Sequence, residues 1–356
     1  MWVDEIRLVN FRGYKNASVM FDRGVNIIYG ANASGKTNIL EALFLMSAAR
    51  SHRFVKENEM ISFGCKCAKV FAAFYSRGRD NTGEITLFKD KKKQIRINGV
   101  AIDKTSELMG FLNAVMFCPE DLRLIKGAPR ERRRMMDVGI CQISKKYFNA
   151  LTQYIKVLEQ KNRLLKDKPD SKALWVWNEK LAELGTEVIW FRKSYIDSIG
   201  KKAAEIHRDI CKEDFEIKYS CGAGVDDFSS KESILNRFRC EIEKNDEREK
   251  RFGISLVGPH RDDFEIFIDK NEARVYASQG QQRTAVLSVK MSEVSLIREN
   301  TGEPPVLLLD DVMSELDAHR QSYILNGIKD SQVIITCTEP FDCFGAKIIN
   351  IRDVRA

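Results

Sequence analysis

Gly30-Ala31-Asn32-Ala33-Ser34-Gly35-Lys36-Thr37 fits the phosphate-loop pattern G-x-x-x-x-G-K-[ST]. The apolar run Val25-Asn26-Ile27-Ile28-Tyr29 feeds directly into Gly30. After Thr37, the residues Ile39, Leu40, Ala42, Leu43 and Met46 recur at helical spacing. Strand, glycine loop, helix is the setting in which backbone N–H groups and a helix N-terminus hold a multiply charged phosphate. Gly30 and Gly35 permit the turn and the close backbone approach. Lys36 is placed to reach the β- and γ-phosphates of ATP, and the Thr37 hydroxyl to ligate Mg²⁺. Ala33 stands where such a loop usually carries glycine, so a positive φ there would strain the backbone modestly.

The partners of this loop lie near the other end of the chain. Val306-Leu307-Leu308-Leu309-Asp310-Asp311 reads as a buried strand ending in carboxylates. Asp310 is expected to hold Mg²⁺ with Thr37, and Asp311 to orient an attacking water as general base. Ser278-Gln279-Gly280-Gln281-Gln282-Arg283 precedes a helical run. It reads either as a second anion cradle or as an ordinary helix N-cap by Ser278.

Between these motifs the pattern changes character. Cys67 to Tyr75, Glu84 to Phe88 and Lys93 to Ile97 look like antiparallel strands, and Asn98-Gly99 is a hairpin turn before Val100-Ala101-Ile102. From about Arg130 to Glu249 the apolar residues take helical steps: Tyr147, Leu151, Tyr154, Leu158 and Leu165, then Trp177, Leu181, Leu184, Val188, Phe191, Tyr195 and Ile199. Lys168-Pro169-Asp170 separates the two runs, which predicts an antiparallel pair of helices of about 25 residues each. The expected organisation is a head formed by residues 1–129 and 250–356, with a helical lobe at 130–249.

Bulk properties set the class. The chain has 356 residues, 44% of them hydrophobic, enough for a sizeable core. No run approaches a membrane span, and Asp4 and Glu5 sit where a signal peptide would be basic. The expectation is a soluble cytoplasmic protein. Nine scattered cysteines with no CxxC read as free buried thiols. A net charge of +7 favours a polyanionic partner without proving one.

The order phosphate loop, Ser278-Gln279-Gly280, Asp310-Asp311, Ser314-Glu315-Leu316-Asp317 resembles the ATP-binding-cassette ATPases, in particular their SMC-like branch. Four further motifs narrow the likeness to the RecF family of bacterial recombination proteins. They are Asn10-Phe11-Arg12-Gly13-Tyr14, Phe117-Cys118-Pro119-Glu120-Asp121-Leu122, Gly258-Pro259-His260-Arg261-Asp262-Asp263 and Leu309 to Asp317. The resemblance spans essentially the whole chain. It implies an α/β fold: an ABC-type head with a P-loop core sheet, an antiparallel β patch and an inserted helical lobe. It also implies a homodimer in which Ser278, Gln279 and Gly280 of one subunit cover ATP held by the other, with Ser314 to Asp317 crossing the interface and Thr338 near a switch position. Arg12 would then approach the nucleotide, although a surface arginine is an equal reading. The implied activity is a weak, DNA-stimulated ATPase at gaps and junctions. It would assist RecR and RecO in recombinase loading at stalled replication and in SOS induction. Asp311, where most transporters of this class carry glutamate, fits slow hydrolysis.

Two basic clusters are candidates for non-sequence-specific DNA contact: Lys89, Lys91, Lys92, Lys93 and Arg96, and Arg130, Arg132, Arg133 and Arg134. Intramolecular salt bridges compete for Arg133 and Arg134. His260 and Arg261 have no assigned role and could belong to a turn capped by Asp262. Three rivals remain in view. A transporter's ATPase subunit would lack a helical insert of this size, a structural chromosome-organising head would need arms hundreds of residues long, and a small-molecule P-loop kinase would have its acidic pair nearer the loop.

Overall fold

The computed structural model describes residues 1–167, 171–327, 330–341 and 345–354. The chain forms two units, one from Met1–Asp121 with Lys290–Ala356 and one from Leu122–Val289.

The first unit holds a five-stranded parallel sheet in the order Lys347–Asn350, Val25–Tyr29, Val333–Cys337, Val306–Asp310, Ala114–Phe117. Every residue of Val306–Asp310 is buried, as expected of a parallel strand covered on both faces. The phosphate-loop strand Val25–Tyr29 and the acidic strand Val306–Asp310 flank Val333–Cys337, so their carboxyl ends lie two strands apart on one sheet edge. A six-stranded antiparallel sheet runs Tyr14–Met20, Trp2–Phe11, Cys67–Ser76, Arg79–Phe88, Gln94–Ile97, Val100–Ile102. Its central strand Cys67–Ser76 alternates buried and more exposed positions, the pattern of a sheet with one face on the core. The Asn98-Gly99 turn takes positive φ at both residues (52° and 79°), as a two-residue hairpin requires.

One side chain ties the chain ends together. Gln332, 1% exposed, accepts from the Val3 N–H at 2.8 Å and donates to the carbonyls of Val3 (2.7 Å) and Asp22 (2.8 Å).

The second unit contains the helices Pro129–Ile143, Lys145–Lys166, Ser171–Cys211 and Lys231–Phe252. The separator Lys168-Pro169-Asp170 lies outside the described residues. The helix that follows has 41 residues, well beyond the 25 or so expected. Its buried stripe continues past Ile199 through Ala203 and His207, both fully buried, where a small and a polar residue replace the large apolar side chains of the earlier turns. At Gly185, an added Cβ would lie 2.4 Å from the Phe238 ring and 3.2 Å from the Tyr154 ring, so glycine permits the close packing of this helix. The lobe is not purely helical. Phe215–Ser220 pairs antiparallel with Asp263–Ile268, register Ile217 to Ile266. This pairing carries residues 250–289 into the helical unit, so the units divide after Val289 rather than near 250.

Among the described residues no helix is long and apolar enough to cross a membrane. The cysteines described are free thiols, as expected, but most are only half-buried and Cys240 is exposed.

Gln332→Ala strips buried backbone groups of their partners. It should lower stability by about 2 kcal/mol in urea denaturation; a loss within error of zero would show that the strand ends are held by pairing alone.

Candidate nucleotide-binding site

The phosphate loop is shaped by three left-handed or extreme backbone positions: Gly30 at φ 154°, Ala33 at 60° and Gly35 at 106°. Ala33 therefore does carry the strain its sequence position suggested, of order 1 kcal/mol. At Gly35 an added Cβ would lie 2.7 Å from the Tyr14 hydroxyl, so the residue is glycine for space as well as for conformation. Lys36 and Thr37 open the helix Lys36–Ala48. The Lys36 ammonium is 2.8 Å from the Gly30 carbonyl and 3.2 Å from that of Ala31, held against the loop it would serve. A loop of backbone donors at a helix N-terminus with one lysine across it suits a polyphosphate.

Asp310 ends its strand 6% exposed. Its Oδ1 accepts from Thr37 Oγ1 at 2.9 Å and from Thr336 Oγ1 at 2.7 Å. Burial pushes its carboxyl pKa up, and Asp311 adds to this; the two hydroxyls and the field of Arg53 offset only part. A buried carboxylate supported mainly by hydroxyls, beside a loop hydroxyl, is a donor set that would fit a hard divalent cation such as Mg²⁺. Asp311 follows at φ 52°, a left-handed conformation unusual outside glycine, and its N–H donates to Thr336 Oγ1 at 3.0 Å. Thr336 thus links both aspartates. In the sequence Thr336 closes the apolar run Val333-Ile334-Ile335, and that lone hydroxyl is the available signal. Ser314 donates to the Asp311 carbonyl at 2.9 Å, and Asp317 is held below the usual carboxylate range by the Arg320 backbone and side chain. Nothing is described for the Glu315 side chain.

Arg12 is held by partners within the fold. It sits at φ 52° in the turn between Trp2–Phe11 and Tyr14–Met20, and its guanidinium binds Glu41 in a two-bond fork (2.8 and 2.7 Å). A third bond goes to the Glu59 carbonyl at 2.8 Å. Glu41 lies on the helix that Lys36 opens and is fully buried. Burial works to raise its pKa, but Arg12 and Ser51 outweigh this and hold it ionised, below the usual range. Arg12 therefore braces the phosphate-loop helix and does not lie loose on the surface.

Ser278, Gln279 and Gly280 belong to the second unit. Ser278 caps the helix Gln279–Thr301 in a reciprocal box: Gln281 N donates to Ser278 Oγ at 3.2 Å, and Ser278 N to Gln281 Oε1 at 2.9 Å. Ser278 and Gln279 are exposed. The N-cap reading is thus correct for the local structure; Gly280, in the first turn, is half-buried and its carbonyl accepts from Thr284 Oγ1 at 3.0 Å.

The two family-like motifs acquire structural roles. In Phe117 to Leu122, the Asp121 carboxylate accepts from the Cys118 N–H at 2.8 Å and lies 3.6 Å from the Lys290 ammonium. In Gly258 to Asp263, Asp262 is fully buried and accepts from Arg192 (2.8 Å), the Gly222 N–H (2.8 Å) and the Tyr219 hydroxyl. His260 Nε2 donates to the Ser255 carbonyl at 3.1 Å, so Nδ1 accepts from the Tyr154 hydroxyl at 2.6 Å. Burial drives the His260 pKa down to about 4, keeping it neutral. Arg261 is exposed.

The basic clusters divide. Arg132 is buried in an ion pair with Asp263 (2.5 and 2.8 Å), and Arg133 donates to the Asp262 backbone carbonyl, a hydrogen bond where a salt bridge is expected. Lys93 pairs with Glu57. Lys89, Lys91, Lys92 and Arg96 are exposed around the hairpin.

A phosphate loop, an acidic strand one strand removed and a capped serine–glycine helix define an ATP-binding-cassette type of ATPase head. Residues 2–348 match the RecF/RecN/SMC N-terminal domain family. The chain is 42% identical over 340 residues to the DNA replication and repair protein RecF of Clostridium beijerinckii, covering 95% of this chain and 92% of that one. It is 43% identical over 344 residues to the RecF of Agathobacter rectalis, with the same shares covered. Solved structures of the recombination mediator protein RecF of the RecFOR pathway superpose with TM-scores of 0.92 (with ATP) and 0.91 (with ATPrS). Both are 38% identical, over 98% of this chain and 96% of theirs. A Pyrococcus furiosus Smc head, 18% identical with a TM-score of 0.53 over 95% of this chain and 90% of its own, shares the fold. The chain belongs to the RecF family of ABC-type, SMC-like ATPases.

Arg12→Ala would leave Glu41 buried and unpaired. It should cost about 3 kcal/mol in chemical denaturation, most of it recovered when Glu41→Leu is added.

A pH effect follows from His260. Between about pH 4 and 6.5 the unfolded chain binds a proton that the folded one excludes, so this contribution is complete above 6.5 and is lost on acidification. His260→Gln should flatten the stability–pH curve in that window; an unchanged slope there would contradict the buried neutral imidazole.

Proposed function

We propose that the chain is an ATP-switched DNA-binding protein of recombinational repair and replication, a weak ATPase that closes as a homodimer on gapped DNA. The observation that carries this reading is the Thr37–Asp310 contact at 2.9 Å, which joins the phosphate loop to the acidic strand from the far end of the chain. The names and ATP-bound states of its RecF relatives support it.

In this reading the backbone of Gly30, Ala31, Asn32, Ala33, Ser34 and Gly35 cradles the phosphates, and Lys36 leaves its loop carbonyls to neutralise them. Thr37 and Asp310 hold Mg²⁺, which supplies charge compensation when bound. Asp311, aimed by its left-handed backbone, orients a water. Ser278, Gln279 and Gly280 complete the pocket of a second copy, because an exposed helix N-terminus favours an anion and ATP in one subunit supplies it. ATP is then the closing element and hydrolysis the release. Arg12 acts through the helix it braces. Lys89, Lys91, Lys92 and Arg96 take DNA phosphates without reading sequence. Loading of a recombinase with RecR- and RecO-type partners at stalled forks, SOS induction and a cytoplasmic location complete the reading.

Capping and clamping are separable at Ser278. Aspartate caps a helix as well as serine does but repels a phosphate. Ser278→Asp should keep thermal stability and ATP binding, yet lose ATP-dependent dimerisation by at least about tenfold in light scattering with gapped DNA. A variant that still dimerises with ATP would refute the clamp.

The DNA surface is tested by Lys89→Glu, Lys91→Glu and Lys92→Glu together. The slope of log affinity against log salt should fall by about one per lysine that touches phosphate. An affinity that ignores salt in the unaltered protein would exclude phosphate contact.

A further inference from the structure

The long helix Ser171–Cys211 ends in a cluster that the nucleotide site does not use. His207 and Cys211 are four residues apart and share a helix face. Glu213 follows in the turn before the strand Phe215–Ser220. His207 Nε2 is 3.3 Å from Glu213 Oε2, and Cys211 Sγ is 3.4 Å from the same oxygen. The three ligand atoms all lie within 4.8 Å of one another.

The hydrogen bonding around them orients a lone pair inward. Ser288 donates its only hydroxyl proton to the Thr284 carbonyl at 2.8 Å, so at 3.3 Å its oxygen accepts from His207 Nδ1. With the proton on Nδ1, Nε2 of the neutral ring turns its lone pair toward a carboxylate oxygen. The 3.3 Å between Nε2 and the carboxylate oxygen leaves room for a ring proton or, in its place, a metal ion. The Nδ1–H to hydroxyl bond is the kind of support that orients metal-bound histidines.

The donor set decides between cations. A tetrahedral ion with bonds of about 2.0–2.3 Å has ligand–ligand edges of about 3.3–3.8 Å, a range that includes two of the separations already present. One thiolate and one carboxylate balance a dication, and imidazole with thiolate selects a borderline-soft ion over Mg²⁺ or Ca²⁺. We propose that His207, Cys211 and Glu213 form an open, three-ligand site for a divalent ion of the zinc type. Binding releases the Cys211 thiol proton to solvent, and water takes the fourth corner.

The site is one hydrogen bond from the signature motif. Glu213 Oε1 accepts from Gln281 Nε2 at 2.9 Å, and Gln281 is the residue that closes the capping box with Ser278. An ion that fixes Glu213 Oε2 thereby steadies the start of the Gln279–Thr301 helix. The consequence for ATP-dependent closure rests on the clamp reading of Ser278; metal binding itself does not.

The test uses the full chain, stripped with a chelator and free of nucleotide, so that failure of the clamp reading cannot be mistaken for failure of the site. Titration with Co²⁺ should give one ion per chain, a near-ultraviolet thiolate-to-cobalt band and tetrahedral visible bands, all displaced by Zn²⁺ and not by excess Mg²⁺. Cys211→Ser should remove the thiolate band, and Glu213→Gln should weaken binding by about tenfold or more. Both side chains are partly exposed, so the folds should survive; circular dichroism checks this. Absence of a thiolate band, or a band that persists in Cys211→Ser, overturns the site. Amide exchange at Gln281 and Gln282 should slow when Zn²⁺ binds, and exchange unchanged by a bound ion overturns the link to the cap.

Discussion

A buried carboxylate without a full countercharge is the constraint on which the first unit turns. Asp310 is reached by Thr37 from the amino-terminal part of the chain and by Thr336 from the carboxyl-terminal part, and neither hydroxyl removes the cost of burying it. Such a group persists only where surrounding structure holds it and where its charge is wanted. The strand order supplies that holding. Val333–Cys337 lies between the phosphate-loop strand and the acidic strand, so the Thr336 hydroxyl stands at the one place able to serve both aspartates. The strained backbone at Ala33 and at Asp311 is found on this same sheet edge.

The second unit is organised by another buried charge, Asp262, and there the charge is spent on architecture. Arg192 from the long helix, Tyr219 from the strand and the Gly222 N–H all converge on it. Breaking such a set leaves an uncompensated ion in a low-dielectric interior, so the set acts as one piece. Arg133 joins it through the Asp262 carbonyl and Arg132 pairs with the neighbouring Asp263, although by composition alone both resemble a DNA-binding patch.

Much of the first unit was legible in the sequence because its signals are local. A glycine loop between an apolar strand and a helical run, an Asn-Gly hairpin and a continuous run of Val and Leu each have a short-range physical cause. The signals failed where the cause was distant. Phe215–Ser220 was hidden inside a helical lobe because its partner, Asp263–Ile268, lies far along the chain. The long helix outran its expected end because alanine and histidine fill its last buried positions. The pairing of Arg12 with Glu41 on the next helix has no local signal either.

Residue types and their spacing determined that a phosphate-loop pattern is present and that an acidic strand far along the chain had to meet it, because a glycine-rich turn before a helix suits a phosphate and a carboxylate after a buried strand its cation. Tertiary structure decided which charges are available. Lys93, Arg132 and Arg133 are engaged within the fold while Lys89, Lys91 and Lys92 remain exposed, and His207, Cys211 and Glu213 become neighbours. A side chain's charge is written in the sequence; its burial and its partner are set by segments that the sequence does not place beside it.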